Sequence, residues 1–243
     1  MRPGTRQIAF SRLVIAMSCA GLMSGAAAAG YWGGEPGGEP GGAWQHVPLN
    51  ARKTPTRYEV ARHEGEIVLA ADARGAVSLV MRAADVDLER APVVTWRWRL
   101  DEHPTGADNS IAAREDAAAR VVFVFDGDRS RLPFQDRAVM RVARSLSGRD
   151  LPYATLMYVS SPQAAVGTIV PNPHTRRVQM IVASTDPGGP GGWHSLRRDL
   201  VRDFERAFGE LPGRLIAYGV MTDSDNTASR ARARYGPIRF VPR

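Results

Sequence analysis

Alternation governs much of the chain beyond residue 43. Val94, Trp96, Trp98 and Leu100 are separated by Thr95, Arg97 and Arg99. A strand sends successive side chains to opposite faces, so the first set shares an apolar face and the second a polar one. Similar β-branched or aromatic runs, bounded by Gly, Pro or Asp, predict strands over 66–71, 76–83, 93–100, 118–126, 153–160, 177–184, 215–222 and 237–241. They lie roughly 10 to 30 residues apart without a repeated strand-helix-strand unit, which favours an antiparallel β-sandwich over a parallel sheet.

Two stretches change period. Over 134–146, Val139, Val142, Ala143 and Leu146 recur at helical spacing, and over 199–208 Leu200, Phe204, Ala207 and Phe208 do the same. Both predict helices that pack on a sheet or close one end of the sandwich. Gly209 stands where a helix C-terminal cap is expected.

The N-terminus reads differently. Arg2, Arg6 and Arg12 precede or open an apolar stretch over 13–23, with no acidic residue, and Ala27-Ala28-Ala29 offers small residues for cleavage. Residues 1–29 therefore read as a secretory signal peptide cut after Ala29, and the protein is expected in the periplasm or outside the cell. The apolar stretch is about half of the roughly 20 residues a spanning helix needs, so no permanent membrane span is expected. Ala16-Met17-Ser18-Cys19 loosely resembles a lipidation box, but Ala16 stands where Leu is usual and the apolar run would be halved. Residues 30–42 repeat GGEP and read as a linker. Residues 43–243 are expected to form one domain.

Composition narrows the chemistry. Cys19 is the sole cysteine and leaves with the signal, which excludes disulfides, thiolate zinc and a cysteine nucleophile from the mature chain. Removal of Arg2, Arg6 and Arg12 lowers the formal charge from +7 by three, to +4. Lys53 is the single lysine, a bias toward Arg rather than a nucleic-acid footprint. The densest basic run, Arg230 to Arg234, has only Tyr235 beside it as an aromatic, so no nucleic-acid partner is expected. There is no G-x-S-x-G elbow, Walker loop, H-E-x-x-H or dinucleotide fingerprint, and His46, His63, His103, His174 and His194 show no metal-ligand spacing.

Three segments could carry a site. The polar face of the tryptophan strand offers Arg97 and Arg99, whose donor forks suit carboxylates or phosphates, followed by Asp101. In the next strand Ala119, Val121, Phe123 and Phe125 alternate with Arg120, Val122, Val124 and Asp126. If the first set joins the tryptophans in the core, Arg120 lies with Arg97 and Arg99 on the opposite face. With Glu115, Asp116, Asp101 and Asp108 in adjoining loops, they could form a mixed arginine/carboxylate site or an ion-pair network. The run Asp223-Ser224-Asp225-Asn226-Thr227 is rich in oxygen ligands. It is not an EF-hand loop, since Ala228 and Arg234 stand where Gly and Glu are needed. Asp223 and Asp225 are a weak calcium candidate beside the commoner reading of an Asp/Asn turn. No other cofactor is expected.

These segments together resemble an exported bacterial family of domains of unknown function. The resemblance rests on the W-R-W-R-x-D strand at 96–101 and on Glu115-Asp116 followed by Arg120 to Asp126. It extends through Trp193, Arg198-Asp199, Asp203-Phe204 and Phe208-Gly209. The D-x-D-N-T run at 223–227 and Ala233-x-Tyr235-Gly236-x-Ile238-x-Phe240 complete it. The acidic pair is Glu-Asp where Asp-Asp is expected, Arg114 stands near where lysine is common, and the stretch over 137–150 is longer than usual. The resemblance implies a jelly-roll-like sandwich similar to carbohydrate-binding modules and no established activity.

The candidate ligand residues are thus Arg97, Arg99, Asp101, Glu115, Asp116, Arg120, Asp223, Asp225, Asn226 and Tyr235. The leading expectation is a non-catalytic sandwich that binds a glycan or other polar envelope ligand. The alternatives are a polysaccharide-active enzyme using Glu115, Asp116, Asp223 and Asp225 as acid/base groups, and an envelope interaction or assembly protein.

Overall fold

The computed structural model describes residues 44–147, 150–172, 175–186 and 191–243. The segments expected to be a signal peptide (1–29, with Cys19 and Ala29) and a linker (30–42), and His174, lie outside the described residues. Among the described residues the strands in chain order are β1 (Gln45–Pro48), β2 (Arg57–His63), β3 (Glu66–Arg74), β4 (Val77–Ala83), β5 (Val93–Glu102), β6 (Arg120–Phe125) and β7 (Ala154–Ser160). They continue as β8 (Ile169–Pro171), β9 (Val178–Ser184), β10 (His194–Asp199), β11 (Leu215–Asp223), β12 (Arg230–Tyr235) and β13 (Arg239–Val241). Helix α1 (Phe134–Ser147) joins β6 to β7, and α2 (Leu200–Phe208) joins β10 to β11.

The strands form a jelly-roll-like β-sandwich. One sheet has seven strands in the order β1-β4-β11-β6-β7-β9-β8. The other runs β10-β5-β12-β3-β2, with β13 also pairing β5. Pairing is antiparallel except between β7 and β9. Strands β1, β2, β8, β10 and β12 were not expected from the sequence. The first four are short or mixed in polarity, and β12 was concealed as a basic run. Its Arg-Ala alternation is strand alternation: Ala231, Ala233 and Tyr235 are buried while Arg230, Arg232 and Arg234 face outward.

The core between the sheets is made by the alternating sets. Trp96, Trp98, Leu100, Ala231 and Ala233 meet Phe123, Phe125, Tyr158, Ile181 and Val220 from the facing sheet. Trp96 stacks on Tyr158 with ring centroids 5.0 Å apart, and Trp98 donates its indole N–H to Ser184 Oγ at 3.2 Å. The tryptophans are core, as their apolar flanks imply.

The central strands of the seven-stranded sheet are buried on both faces. Their other side carries a second apolar layer in which Leu79, Met81, Val122, Val124, Met157, Met180 and Met221 pack together. Double burial explains why these strands read as continuous apolar runs rather than clean alternation. Gly219 in β11 permits the close approach of β4, since a Cβ there would lie 2.1 Å from the Val80 carbonyl oxygen. Gly219→Ala is therefore expected to lower stability by about 1–3 kcal/mol, seen as a lower denaturant midpoint with unchanged m-value.

The helices diverge in how far they follow expectation. In α2, Leu200 and Phe204 are buried, Asp199 caps the N-terminus by accepting from Arg202 N–H at 3.1 Å, and Gly209 ends it with φ 72°. In α1 the expected apolar stripe does not face the sandwich. Val139 is 41% and Val142 50% exposed, while Asp136 and Met140 turn inward. Helical spacing fixes which residues share a face, but only the neighbouring chain decides which face is covered. The side chains of Ala143 and Leu146 lie outside the described residues.

Candidate functional site

Nine of the ten sequence-derived candidates separate into two groups on opposite sides of the sandwich, and Tyr235 lies in the core between the sheets. Arg97, Arg99 and Asp101 belong to β5 in the six-stranded sheet and project from its outer face. Arg120 belongs to β6 in the seven-stranded sheet and points toward its second apolar layer, where it lies against Met180 Sδ at 3.1 Å. The expectation that Arg120 shares a face with Arg97 and Arg99 is corrected. The alternation was read properly, but β5 and β6 lie in different sheets, so faces turned away from one core are outward in opposite directions.

Arg120 is the centre of a sealed ionic cluster. Its side chain is 1% exposed, and Glu115 and Asp223 are 3% each. Arg120 donates Nε–H to Asp223 Oδ1 and Nη2–H to Asp223 Oδ2, both at 3.0 Å, a two-point fork. Its Nη1 donates to Glu115 Oε1 at 2.9 Å, and Nη2 also donates to the Glu115 carbonyl at 3.0 Å. Asn172 Nδ2 reaches Glu115 Oε2 at 3.5 Å.

Local chain geometry delivers these groups. A 3-10 turn (Ala112–Arg114) ends at Glu115, and the following residues run buried into β6. Opposite them, β11 ends at Asp223, whose N–H donates to the Ala117 carbonyl at 3.2 Å while its Oδ1 accepts from Ala117 N–H at 3.0 Å. The turn over 223–229 then folds onto Asp116. Asp116 Oδ1 accepts from Asn226 N–H at 3.2 Å, and Oδ2 accepts from Thr227 N–H at 2.8 Å and Thr227 Oγ1–H at 2.7 Å. Asn226 Nδ2 donates to the Glu115 carbonyl at 3.3 Å. The D-x-D-N-T run is thus a turn closed by a carboxylate from another segment.

Lys53 supplies the second cation, with its ammonium on Asp225 Oδ2. It went unnoticed in the sequence because it lies 172 residues away, although it is the chain's single lysine. Tyr235 is buried between the sheets. Its hydroxyl bonds Thr222 Oγ1 at 2.6 Å, donates to the Met221 carbonyl at 2.8 Å and accepts from Arg120 N–H at 3.4 Å. It therefore ties the two sheets together beneath the cluster, and burial holds its ionisation well above the usual phenol value.

Four carboxylates against two cations leave this buried region over-supplied with negative charge. Burial pushes the Asp223 carboxyl up to about 8; Arg120 opposes the shift, while Asp116 and Glu115 add to it. Among the described residues, one oxygen from each of Asp116, Asp223 and Asp225 lies within 4.8 Å of the others, so these three form a group that could hold a cation. All three already accept from the protein's own donors: Arg120 and Ala117 at Asp223, Asn226 and Thr227 at Asp116, and Lys53 at Asp225.

The other group faces solvent. Arg97 lies over the Trp193 ring, 4.4 Å from its centroid, and pairs with Glu66. Arg99 Nε donates to Asp101 Oδ1 at 3.3 Å, and Arg234 Nη1 donates to the same oxygen at 2.7 Å. Arg99 also approaches His63 Nε2 at 3.3 Å, and the His63 and Trp193 rings are 5.8 Å apart. Arg230 holds Asp72 at 2.9 and 2.8 Å through Nε and Nη2, and its hydrogen bond holds that carboxyl down to about 2. The outer sheet face is therefore a lattice of guanidinium and carboxylate groups with one aromatic ring at its side. The Trp193 contribution was visible in the sequence only as part of the family pattern. Asp108 joins neither group; it accepts from Ser110 N–H at 3.0 Å and pairs with Arg114 at 3.7 Å.

Comparison with known proteins gives one family match. Residues 42–239 match the family described as a protein of unknown function, DUF3047. No curated protein matches the sequence. Among solved structures, similarity is found to the xyloglucanase domain of NopAA, a type three effector from Sinorhizobium fredii in complex with cellobiose. The TM-score is 0.43 at 10% identity, over 85% of this chain and 96% of that one.

Proposed function

The chain belongs to the DUF3047 family of proteins of unknown function, and from that premise we propose that it is a non-catalytic module that binds a glycan or other polar ligand on the outer face of its six-stranded sheet. One observation carries the reading. Arg97, Arg99 and Asp101, each partly exposed, stand together there, with Arg97 laid on Trp193. An aromatic ring offers a sugar its apolar face, while guanidinium forks suit carboxylate or phosphate substituents. The ligand class favoured by this chemistry is an anionic polysaccharide.

The enzyme reading requires carboxylates with access to substrate. Glu115 and Asp116 are 3% and 0% exposed and Asp223 is 2% exposed, each held by donors of the protein. That burial favours a structural clamp over acid/base catalysis. Export, read from the N-terminal segment, would put the module in the cell envelope or outside, where such polymers occur.

Titration calorimetry against a panel of neutral and anionic cell-wall polysaccharides tests the proposal. Binding of an anionic member is expected, weakened roughly tenfold or more by Arg97→Ala with Arg99→Ala and by Trp193→Ala. A panel with no binder, or a binder indifferent to all three substitutions, would overturn it.

A further inference from the structure

We infer that α1 is a docking surface for an anionic lipid bilayer, with arginines on its flank and an apolar ridge facing outward. The starting point is the reversal found in this helix, whose inward side carries Asp136 and Met140 while Phe134 is 68% exposed. Helical geometry of 3.6 residues per turn puts Phe134, Val139 and Val142 within a sector of about 140° directed away from the sandwich, with Gln135 and Ser145 as the polar residues among them. Arg137, Arg141 and Arg144, all exposed, fall within about 60° beside that sector. Such a juxtaposition of a cationic strip and an apolar ridge is the arrangement of helices that lie in the plane of a bilayer surface.

Charge decides between occupants. Between residues 128 and 150 there are six arginines and three aspartates. Asp136 is buried, Asp128 accepts from Ser130 N–H at 2.9 Å, and Asp150 is shared by Arg144 at 3.3 Å and Arg129 at 3.8 Å. Arg141 lies over the Phe134 ring, 5.8 Å from its centroid, so the cationic strip and the apolar residues meet at this pair. Arg129, Arg137, Arg141 and Arg144 also line a surface hollow of about 410 Å³ together with Phe134, Met140 and Asp150, four guanidinium groups against one carboxylate. A second copy meeting this face across a two-fold axis would set arginine against arginine, which disfavours self-association. Phosphate head groups with acyl chains beneath satisfy both halves of the surface at once. Docking here is peripheral: among the described residues no helix is long and apolar enough to cross a membrane.

The test is co-sedimentation of the full chain with vesicles of phosphatidylglycerol and phosphatidylcholine, against vesicles of phosphatidylcholine alone. The N-terminal segment is common to every variant, so differences between variants report on α1. The intact chain is expected to favour the anionic vesicles and to lose affinity as salt rises. Arg137→Glu with Arg141→Glu is expected to lower that partition roughly tenfold or more, and Phe134→Ser with Val142→Ser to lower it at constant charge. Thermal melts of both double variants, unchanged at these exposed positions, establish that the sandwich remains folded. Equal partition among the variants would overturn the inference. So would a loss confined to the charge variant with a dimer-to-monomer change in mass, since that outcome assigns the face to a second copy.

Discussion

Replacing Arg120 by Leu is expected to destabilise the protein by about 3–5 kcal/mol. The reason is not the loss of attraction alone. Glu115 and Asp223 would stay buried without the guanidinium that now receives them, 2.9 and 3.0 Å away. Arg120→Lys should recover only part of the loss, because a point charge cannot serve both Asp223 oxygens and the Glu115 carbonyl. Denaturant unfolding of the variants checks this. If Arg120→Leu cost less than about 1 kcal/mol, the cluster would not be the clamp that joins the segment around Glu115 to the end of β11. Replacing Arg120, Glu115 and Asp223 together by apolar residues should restore much of the stability, as removal of a complete buried ion group commonly does.

The second large effect is on pH dependence. Asp223 is pushed from 3.8 up to about 8 in the folded chain by burial. Between those values the folded chain holds a proton that the unfolded chain has released. Its stabilising contribution is complete below about pH 4 and is lost as pH rises toward 8, at a slope of at most about 1.4 kcal/mol per pH unit. Above pH 8 the contribution is flat. Asp223→Asn, neutral at every pH, should remove this decline and raise stability at pH 9 relative to the parent chain. Thermal melts from pH 5 to 9 measure it; a parent chain that gains stability over that interval would contradict a raised Asp223. The two effects are coupled, since Arg120 lowers the Asp223 value. Without the guanidinium the carboxyl takes up a proton more readily, so the cost of Arg120→Leu should be greatest above pH 8.

Much of the architecture was legible as periodicity. The two-residue period of β5 assigned Trp96 and Trp98 to the core, and the 3.6-residue period over 199–208, with Gly209 after it, located α2 and its C-terminal cap. Strands with mixed polarity escaped notice, β12 most clearly, because one outward-facing row of arginines outweighs two alanines in any local reading. Of the charged motif residues, Glu115, Asp116, Arg120, Asp223, Asp225 and Asn226 come together in the fold, while Arg97, Arg99 and Asp101 stand apart from them. Nothing local distinguishes a ligand site from an internal clamp, since both need opposite charges at hydrogen-bond distance. Burial separates them, and burial depends on what the rest of the chain lays over a residue.

The sequence by itself determined which side chains of a strand share a face, because extended backbone geometry sends successive side chains to opposite sides. It also determined the absence of cysteine chemistry beyond Cys19 and the arginine bias of the chain. Only the tertiary structure decided that β5 and β6 lie in different sheets, which sends Arg97 and Arg99 to solvent and Arg120 into a sealed cluster with Lys53 close by. It alone decided that α1 turns Phe134, Val139 and Val142 outward. Sheet assignment arises from contacts between residues far apart in the chain, such as Arg120 with Asp223, and no period along the chain encodes it.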